Sequence, residues 1–313
     1  MKKPHVVLIA GPTGVGKTAA SVCLAKKLDT DIISCDSMQI YRGMDIGTAK
    51  VTPEEMQGVT HHMIDIVNPD EPFSVCDYVN MASGIIEDMS AKGKVPVIVG
   101  GTGLYADSLL KGITFESEAP ADENYRQQMQ EVCNARGCEY LHSLLCDVDR
   151  ESADNIHPNN VKRVIRALEY HHATGEKISD YNKRTLEIEP PYIVDRIYFT
   201  RSRENLYDRI DRRVDIMLEM GLESEVRSII EKNHDENTTA MQALGYKEML
   251  GFIKGEISLE EAAELIKKGS RHYAKRQLTW FKREASAVWL NLDDYSSSEE
   301  TAEACYEIIR RNL

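Results

Sequence analysis

The sequence lacks the features that define several classes of protein. Its seven cysteines are odd in number and form no C-x-x-C pair, so a disulfide scaffold is not expected and a reducing cytoplasm fits best. Apolar runs are short: residues 6–10 are apolar, but Gly11 and Pro12 follow, and no stretch approaches the roughly 18 apolar residues of a membrane span. We therefore expect a cytoplasmic protein that has no membrane partner.

Positive charge is also in short supply. The chain has 38 Lys and Arg against 51 Asp and Glu, a net charge of -13, which excludes a protein that coats nucleic acid with its whole surface. A local basic patch stays possible. With 42% hydrophobic and 28% charged residues the chain is not disordered throughout, and its 313 residues predict roughly two domains.

The first part of the chain alternates short apolar runs with longer amphipathic stretches, which predicts repeated βα units around a parallel sheet. The predicted strands are residues 6–10, 31–35, 63–67 and 95–99, and the helices packed on them are residues 17–28 and 78–91. Strand signals cease after about residue 114. Pro190 and Pro191 end this block, because two prolines in a row can neither continue a helix nor donate to a sheet. Strand signals return beyond them.

The sequence therefore predicts two domains of different kinds. Residues 116–191 are predicted to form a helical insertion domain, with helices at 122–136, 139–146 and 159–174. Residues 1–115 and 192–313 are predicted to form an α/β core, with a strand at 193–200, a helix at 203–220, a helix that begins at the Ser258–Glu261 capping box, a strand at 287–292 and a C-terminal helix. Nothing in the pattern indicates an obligate protein partner.

Residues 11–18, GPTGVGKT, match the phosphate-loop pattern G-x-x-x-x-G-K-[ST]. The loop follows a predicted strand and opens a predicted helix, so its backbone N–H groups can wrap an anion at a helix N-terminus. In this arrangement Lys17 neutralises phosphate oxygens and the Thr18 hydroxyl binds Mg²⁺. The loop alone does not distinguish a nucleotide from another diphosphate.

Asp36 directly follows the predicted strand 31–35, at the sheet edge where ligands bind in open parallel sheets. Three interpretations stay open at this point: a carboxylate that orders Mg²⁺ through water, a general base, or a cap for the next segment. A second glycine-rich turn, residues 100–103, follows strand 95–99, and a tight turn explains it as well as a substrate loop.

Positive charge is concentrated in one segment. Residues 267–283 contain seven Lys or Arg and no acid. A helix here would place Lys268, Arg271, Lys275 and Lys282 on one face, beside an apolar face of Ala274, Leu278, Phe281 and Ala285. Such a helix could be anchored in the protein with one edge on nucleic-acid phosphates, or it could be a solvated surface helix.

These segments assemble into an ordered series that resembles the bacterial tRNA dimethylallyltransferases, the tRNA isopentenyltransferase family. The series covers nearly the whole chain. It comprises GPTGVGKT (11–18), DSMQIY (36–41), GTAK (47–50), HHMIDI (61–66), GGTGLY (100–105), NVKRVIRALE (160–169), LYDRIDRRVD (206–215), QALGYKE (242–248) and RHYAKRQLTWFKR (271–283).

The resemblance implies a P-loop NTPase-like parallel sheet flanked by helices, with an all-helical insertion domain that contacts tRNA. It implies transfer of a dimethylallyl group from dimethylallyl diphosphate to N6 of the adenosine 3′ of the anticodon, in tRNAs that read codons beginning with U. The implied cofactor is Mg²⁺ and the implied partner is the anticodon stem-loop. The phosphate loop is thereby assigned to a prenyl diphosphate, whose charge it can bind as it would a nucleotide's.

The resemblance also implies roles for individual residues. Asp36 is the base that accepts the amine proton, while Lys17, Thr18 and Arg209 stabilise the leaving group, and Thr18 also holds the metal. Either Arg209 or Arg213 clamps the diphosphate. The diphosphate-binding set is Gly11, Thr13, Gly14, Val15, Gly16, Lys17, Thr18 and Arg213. The tRNA-binding set is Ser37, Met38, Gln39 and Thr102 around the target base and Lys162, Arg163, Arg166, Arg271, Lys275 and Lys282 on phosphates; many relatives have Gln at the position of Lys162.

Three alternative functions remain at this point. The first is a phosphate-loop kinase that uses ATP on a small metabolite, with Asp36 as the base. The second is an enzyme that prenylates free adenine nucleotides, for which the helical insertion and the basic segment would be superfluous. The third is an RNA-binding switch without catalysis that uses the phosphate loop only as a sensor.

Overall fold

The computed structural model describes residues 3–113, 122–232 and 238–312. Its centre is a six-stranded sheet in the order β3-β2-β4-β1-β5-β6, and every pair of neighbouring strands is parallel. The strands are β1 (His5–Ala10), β2 (Ile32–Cys35), β3 (His61–His62), β4 (Val97–Gly100), β5 (Ile193–Thr200) and β6 (Val288–Asn291).

The register of the central strands brings two chain segments to one place at the edge of the sheet. The last residue of β4, Gly100, is opposite Ala10 of β1 and opposite Cys35 of β2. The segments that follow β1 and β2 therefore leave the sheet at the same level, with only one strand between them. This register places the phosphate loop and Asp36 at a common edge, as expected for ligand sites of open parallel sheets.

The chain forms two compact units, one of Met1–Leu110 with Pro191–Leu313 and one of Lys111–Pro190. The predicted junction at residue 116 lies outside the described residues. Helices of the first unit are α1 (Lys17–Lys27), α2 (Pro53–Met56), α3 (Val75–Ala91), α4 (Gly103–Leu110), α10 (Arg203–Glu219), α11 (Leu222–Glu231), α12 (Tyr246–Ile253), α13 (Leu259–Phe281) and α14 (Ser298–Ile309). Helices of the second unit are α5 (Glu123–Arg136), α6 (Cys138–Val148), α7 (Arg150–Asn155), α8 (Val161–Thr174) and α9 (Ile178–Leu186).

Two apolar cores of the first unit, among the residues that the structure describes, position the elements around the sheet edge. One lies along the sheet, where β1 residues such as Val7 and Ile9 pack with α1, α10 and α14. The other joins α10, α11, α12 and α13 to the segment that follows Asp36, including Tyr41 and Met44. Because this second core buries the chain just beyond β2, that segment is held against the helices rather than left as a free loop.

The second unit has its own core, and one buried carboxylate organises it. Apolar residues of α5, α6, α7 and α8 fill the interior. Glu169 of α8 is fully buried and accepts hydrogen bonds from the Asp122 N–H at 2.8 Å and from Arg126 and Arg166 at 3.1 and 2.8 Å. These bonds connect the start of α5 to the middle of α8. They also compensate the negative charge of Glu169, whose burial would otherwise be unfavourable.

Most predicted elements are confirmed within a few residues. The strand at 193–200 and the capping box of Ser258 with Glu261 are present as predicted, and Gly175 ends α8 in a left-handed conformation. The helix opened by Ser258 continues to Phe281, so the basic segment is helical. Ala285, predicted on its apolar face, lies beyond the helix end and is exposed.

The predicted strand at 63–67 is wrong. Met63 and Asp65 have positive φ values of 63° and 55°, a left-handed conformation that an extended strand cannot contain. The third strand is instead the short pair His61–His62, and Val67 makes only an isolated bridge to Tyr41. Two of its apolar residues, Ile66 and Val67, pack against the second core of the first unit instead of forming a long strand.

Candidate active site

The phosphate loop leaves β1 and enters α1 as the sequence predicts. Gly14 and Gly16 have φ values of 78° and 108°, which side-chain-bearing residues rarely adopt. A Cβ at Gly14 would also come within 2.9 Å of Ile210 Cγ1. Glycine at these two positions therefore lets the backbone curl tightly while α10 packs against it.

The ammonium group of Lys17 is hydrogen-bonded to the phosphate loop itself. Its Nζ donates to the carbonyl oxygens of Gly11 and Pro12, each at 2.9 Å. Burial lowers the pKa of Lys17 to about 8, although the nearby Asp36 carboxylate raises it. A diphosphate beside Lys17 would favour the charged ammonium, so anion binding and proton binding are coupled at this residue.

Two arginines of α10 reach the same loop. Arg209 Nε donates to the Gly14 carbonyl at 2.9 Å, and Arg213 approaches the Thr13 hydroxyl and the Ala49 carbonyl, both at 3.5 Å. Burial lowers the pKa of both guanidinium groups, and their neighbouring cations act in the same direction. Positive charge concentrated in this way is suited to an anionic ligand.

Asp36 both caps a turn and contributes to the cavity. Its Oδ1 accepts the Met38 N–H at 2.9 Å, which is the capping interaction considered from sequence. Among the described residues Oδ2 has no hydrogen-bond partner. One oxygen of the carboxylate thus fixes its orientation, and the other can accept a proton from a substrate.

The glycine-rich turn 100–103 is a close-packed junction. A Cβ at Gly100 would come within 2.0 Å of the Cys35 carbonyl oxygen, and one at Gly101 within 2.2 Å of Gln277 Nε2. The Thr102 hydroxyl accepts the Ser37 N–H at 3.0 Å. This turn therefore joins the end of β4 to the segment that carries Asp36, and its glycines are required by packing.

These groups meet around one cavity of about 620 Å³. The predicted site residues that line it are Thr13, Gly14, Gly16, Lys17, Thr18, Asp36, Gln39, Arg209 and Arg213. Within the described part of the chain, Gly11, Val15, Ser37, Met38 and Thr102 are next to this lining but do not contribute to it. The cavity thus combines a phosphate loop, two arginines and an aspartate, although these residues are far apart in sequence.

Sequence reasoning missed Tyr273 and Gln277, which reach the cavity from α13. Gln277 accepts the Thr13 N–H and donates to the Gly101 carbonyl, both at 2.9 Å, so it bridges the two glycine-rich turns. Burial, with a contribution from Asp36, raises the pKa of Tyr273, so its phenol stays protonated. A polar residue on the apolar side of the helix, between Ala274 and Leu278, is the sequence signal that could have indicated Gln277.

The basic face of α13 is partly neutralised by α10. Arg271 forms an ion pair with Asp211, and Lys267 forms one with Asp215 at 2.7 Å. Lys275 is exposed, and Lys282 caps the end of the helix. The run of cations seen in sequence is thus not a uniform positive face, because acids from the earlier helix α10 pack against it.

The predicted cluster on α8 also divides into two kinds of residue. Lys162 and Arg163 are exposed, whereas Arg166 is bound to the buried Glu169. An arginine that compensates a buried carboxylate has a structural task, so the geometry separates Arg166 from its two neighbours.

Fold and cavity together define a P-loop NTPase-like protein whose phosphate loop opens into the candidate active-site cavity. The model of the family described as IPP transferase matches residues 39–284, and that of Isopentenyl transferase matches residues 4–69. The chain belongs to the IPP transferase family.

Individual relatives agree with this assignment. The chain is 49% identical over 292 residues to a tRNA dimethylallyltransferase of Lachnoclostridium phytofermentans, covering 93% of each chain. Its structure is similar to that of the tRNA isopentenylpyrophosphate transferase from Bacillus halodurans, with a TM-score of 0.74 and 42% identity over 99% of this chain and 98% of that one. It is also similar to a eukaryotic dimethylallyltransferase described as acting on tRNA, with a TM-score of 0.84 and 29% identity over 99% of this chain and 79% of that one.

The resemblance and the fold predicted from sequence are confirmed, and the kinase alternative is not favoured. In residues 3–113, 122–232 and 238–312 no helix is both long and apolar enough to cross a membrane.

Proposed function

We propose that the protein transfers the dimethylallyl group of dimethylallyl diphosphate to N6 of the adenosine 3′ of the anticodon, in tRNAs that read codons beginning with U. The observation that carries the proposal is the single cavity shared by the phosphate loop, Arg209, Arg213 and Asp36. It provides a diphosphate anchor and a carboxylate base together, which prenyl transfer to an amine requires. We place the reaction in the cytoplasm, with tRNA as the partner.

In the proposed reaction the N6 amine attacks the allylic carbon of the donor. The new N–C bond forms as the allylic C–O bond breaks, and the electron pair of that C–O bond leaves with the diphosphate. Lys17, Arg213 and the loop amides bind the diphosphate, and Arg209 stabilises the charge that grows on it. Asp36 accepts the proton that N6 loses, because an aromatic amine is a poor nucleophile while it keeps that proton.

The donor atoms of the cavity suit Mg²⁺. The Thr18 hydroxyl, in the first turn of α1, is a hard oxygen ligand that lines the cavity beside Lys17. The described residues contain no group of three His, Cys, Asp or Glu that could bind a metal ion. Magnesium held by one protein oxygen, water and the substrate phosphates matches its usual coordination, and it would supply charge stabilisation for the leaving diphosphate.

The target adenosine must leave its stack to reach this cavity. We propose that Gln39, together with Ser37, Met38 and Thr102, forms the surroundings of the flipped base. Lys162 and Arg163 of the second unit and Lys275 and Lys282 of the first are proposed to bind tRNA phosphates. Arg166 and Arg271 are already paired with carboxylates, so we expect smaller contributions from them.

The replacement Asp36→Asn tests the proposal. Asn keeps the hydrogen bond to the Met38 N–H but cannot take a proton, so the rate of label transfer from radiolabelled dimethylallyl diphosphate to unmodified tRNA should fall about 10²- to 10⁴-fold. Affinity for tRNA should be nearly unchanged. Asp31→Asn is the matched control, because Asp31 is at the other end of β2, where it pairs with Lys94 and His62.

The same assay separates the alternatives. Label that appears in tRNA supports prenyl transfer. Phosphoryl transfer from ATP to a small molecule, with no label in tRNA, would instead support the kinase. An Asp36→Asn protein that transfers the prenyl group at the normal rate would remove Asp36 as the base.

A further inference from the structure

Residues 45–50 form one wall of the active-site cavity. Five of them, Asp45, Ile46, Thr48, Ala49 and Lys50, are among the residues that line it. Residues 45–50 contain the GTAK segment at 47–50, which has no role in the proposed reaction. We call residues 45–50 the wall loop.

Glu225 of α11 holds this loop from outside the cavity. Its Oε2 accepts the N–H groups of Asp45 and Ile46 at 2.8 and 2.7 Å, and its Oε1 accepts the Gly47 N–H at 3.1 Å. Three consecutive backbone donors thus converge on one carboxylate from a helix nearly 180 residues later in the chain. Such charge-assisted bonds are stronger and shorter than neutral ones, so they fix the backbone of the loop.

Tyr246, in the QALGYKE segment, completes the contact. Its hydroxyl donates to Glu225 Oε1 at 2.6 Å, and its ring is fully buried. A Cβ at Gly47 would come within 2.4 Å of the Tyr246 ring, so only glycine allows the loop to lie on that ring. Two motifs that are widely separated in sequence therefore form one structural unit around Glu225.

The other side of the wall loop contacts residues proposed for the reaction. Gln39 Nε2 donates to the carbonyls of Thr48 and Ala49 at 3.4 and 3.3 Å. Arg213 approaches the Ala49 carbonyl at 3.5 Å, and Ala49 has the left-handed φ of 45°. The orientation of these two carbonyls depends on how the loop backbone is held.

We infer that Glu225 is a positioning residue for prenyl transfer: through the wall loop it places Gln39 against the target base and Arg213 against the diphosphate. The inference rests on the proposed function, because it takes its consequence from the roles proposed for Gln39 and Arg213. Lys50 anchors the far end of the loop separately, by bonds to the Tyr41 carbonyl, Asp45 and Asp65 at 2.6–2.7 Å. Loss of Glu225 should therefore displace the loop without releasing it.

The test replaces Glu225 by Gln. The amide can still accept from one side, but its NH₂ then opposes an N–H or O–H donor, so the wall loop shifts. A displacement of about 1 Å can cost roughly 10²-fold in rate, and we expect E225Q to lower kcat for label transfer to tRNA about 10- to 100-fold. Glu223→Gln on the same helix is the control, because within the described part of the chain Glu223 pairs only with Arg227 on the surface. This variant should keep kcat within twofold.

A double-mutant cycle with Gln39→Ala distinguishes positioning from a general loss of stability. If Glu225 acts through the wall loop, the two changes share the part of the effect that passes through Gln39, and E225Q should lower kcat at least threefold less in Q39A than in the wild type. Independent effects that multiply would overturn the inference. So would an E225Q enzyme whose folded fraction melts at a lower temperature while its rate per folded molecule stays normal.

Failure of a variant to fold, or a normal kcat for Q39A, leads to a second measurement. If E225Q does not fold, Tyr246→Phe replaces it: this variant removes one donor from Glu225 and should lower kcat a few-fold, again non-additively with Q39A, and multiplicative effects would overturn the inference. If Q39A alone has normal kcat, the proposed role of Gln39 fails. A cycle of E225Q with Arg213→Lys then decides for or against Glu225 by the same criterion.

Discussion

At the scale of single residues, the role proposed for Lys17 predicts that donor binding depends on pH. The pKa of Lys17 is lowered to about 8 by burial, so the free enzyme loses this positive charge as pH rises through 8. The donor itself does not titrate there, since the second pKa of a phosphomonoester is about 6. Above pH 8, binding of dimethylallyl diphosphate must therefore bring a proton to Lys17.

We expect the dissociation constant of the donor to be flat below pH 7 and to rise up to about tenfold per pH unit above 8. Calorimetry at pH 9 in two buffers of different ionisation enthalpy should show net uptake of a proton by the enzyme. Lys17→Arg is the control, because a guanidinium stays charged throughout this range and should show no uptake. A wild-type enzyme that binds the donor equally well at pH 7 and 9 would contradict the coupling.

At the scale of elements, α8 depends on Glu169. Burial by itself raises the pKa of the Glu169 carboxyl, but hydrogen bonds from Arg166, Arg126 and the Asp122 N–H outweigh burial and hold the pKa below its usual value. A depressed pKa means that the carboxylate contributes stability above the pKa of the unfolded chain. That contribution is lost as pH falls through the lower, folded pKa.

Replacement of Glu169 by Gln should lower the free energy of unfolding by about 3 kcal/mol at pH 7. This value is at the low end for the loss of one partner of a buried ion pair, because Arg126 and Arg166 are partly exposed. Chemical denaturation of the full chain at pH 7 and pH 4 measures this, and the difference between variant and wild type should shrink at pH 4. Glu123→Gln, which removes an exposed partner of Arg126, should change stability by less than about 0.5 kcal/mol. Equal stability of E169Q and wild type at pH 7 would refute the assignment.

At the scale of the whole molecule, an acidic protein is proposed to bind a polyanion. The net charge is -13, so local cations must overcome a general repulsion. Affinity for an anticodon stem-loop should therefore fall steeply with salt, because each phosphate contact releases condensed counterions.

The double variant Lys162→Ala with Arg163→Ala should make the slope of log K against log salt shallower by about 1.4 to 1.8, the loss of two phosphate contacts, with unchanged thermal stability. Arg166→Ala should show the opposite pattern, a stability loss with little change in slope, because Arg166 compensates Glu169. Fluorescence anisotropy from 50 to 300 mM salt measures the slopes. A salt-independent affinity would argue against phosphate contacts altogether.

Local patterns were sufficient for most of the first unit's elements. The phosphate loop and the Ser258 capping box depend on hydrogen bonds within a few residues, so their sequence signatures predict their geometry directly. The strand predicted at 63–67 is wrong because its apolar pattern reflects tertiary packing and not an extended backbone. Ile66 and Val67 pack against a core that the chain reaches through Met63 and Asp65 in left-handed conformations, and a run of apolar residues does not reveal a positive φ.

The sequence by itself determined the parallel α/β core, the helical insertion, the phosphate loop and the candidacy of Asp36. Only the tertiary structure decided that Glu225 holds the wall loop, that Gln277 bridges two turns, and that Arg271 is already paired with Asp211. The physical reason is distance along the chain: a motif encodes the bonds that it makes with itself, whereas the partners of these side chains are chosen by which helices pack together.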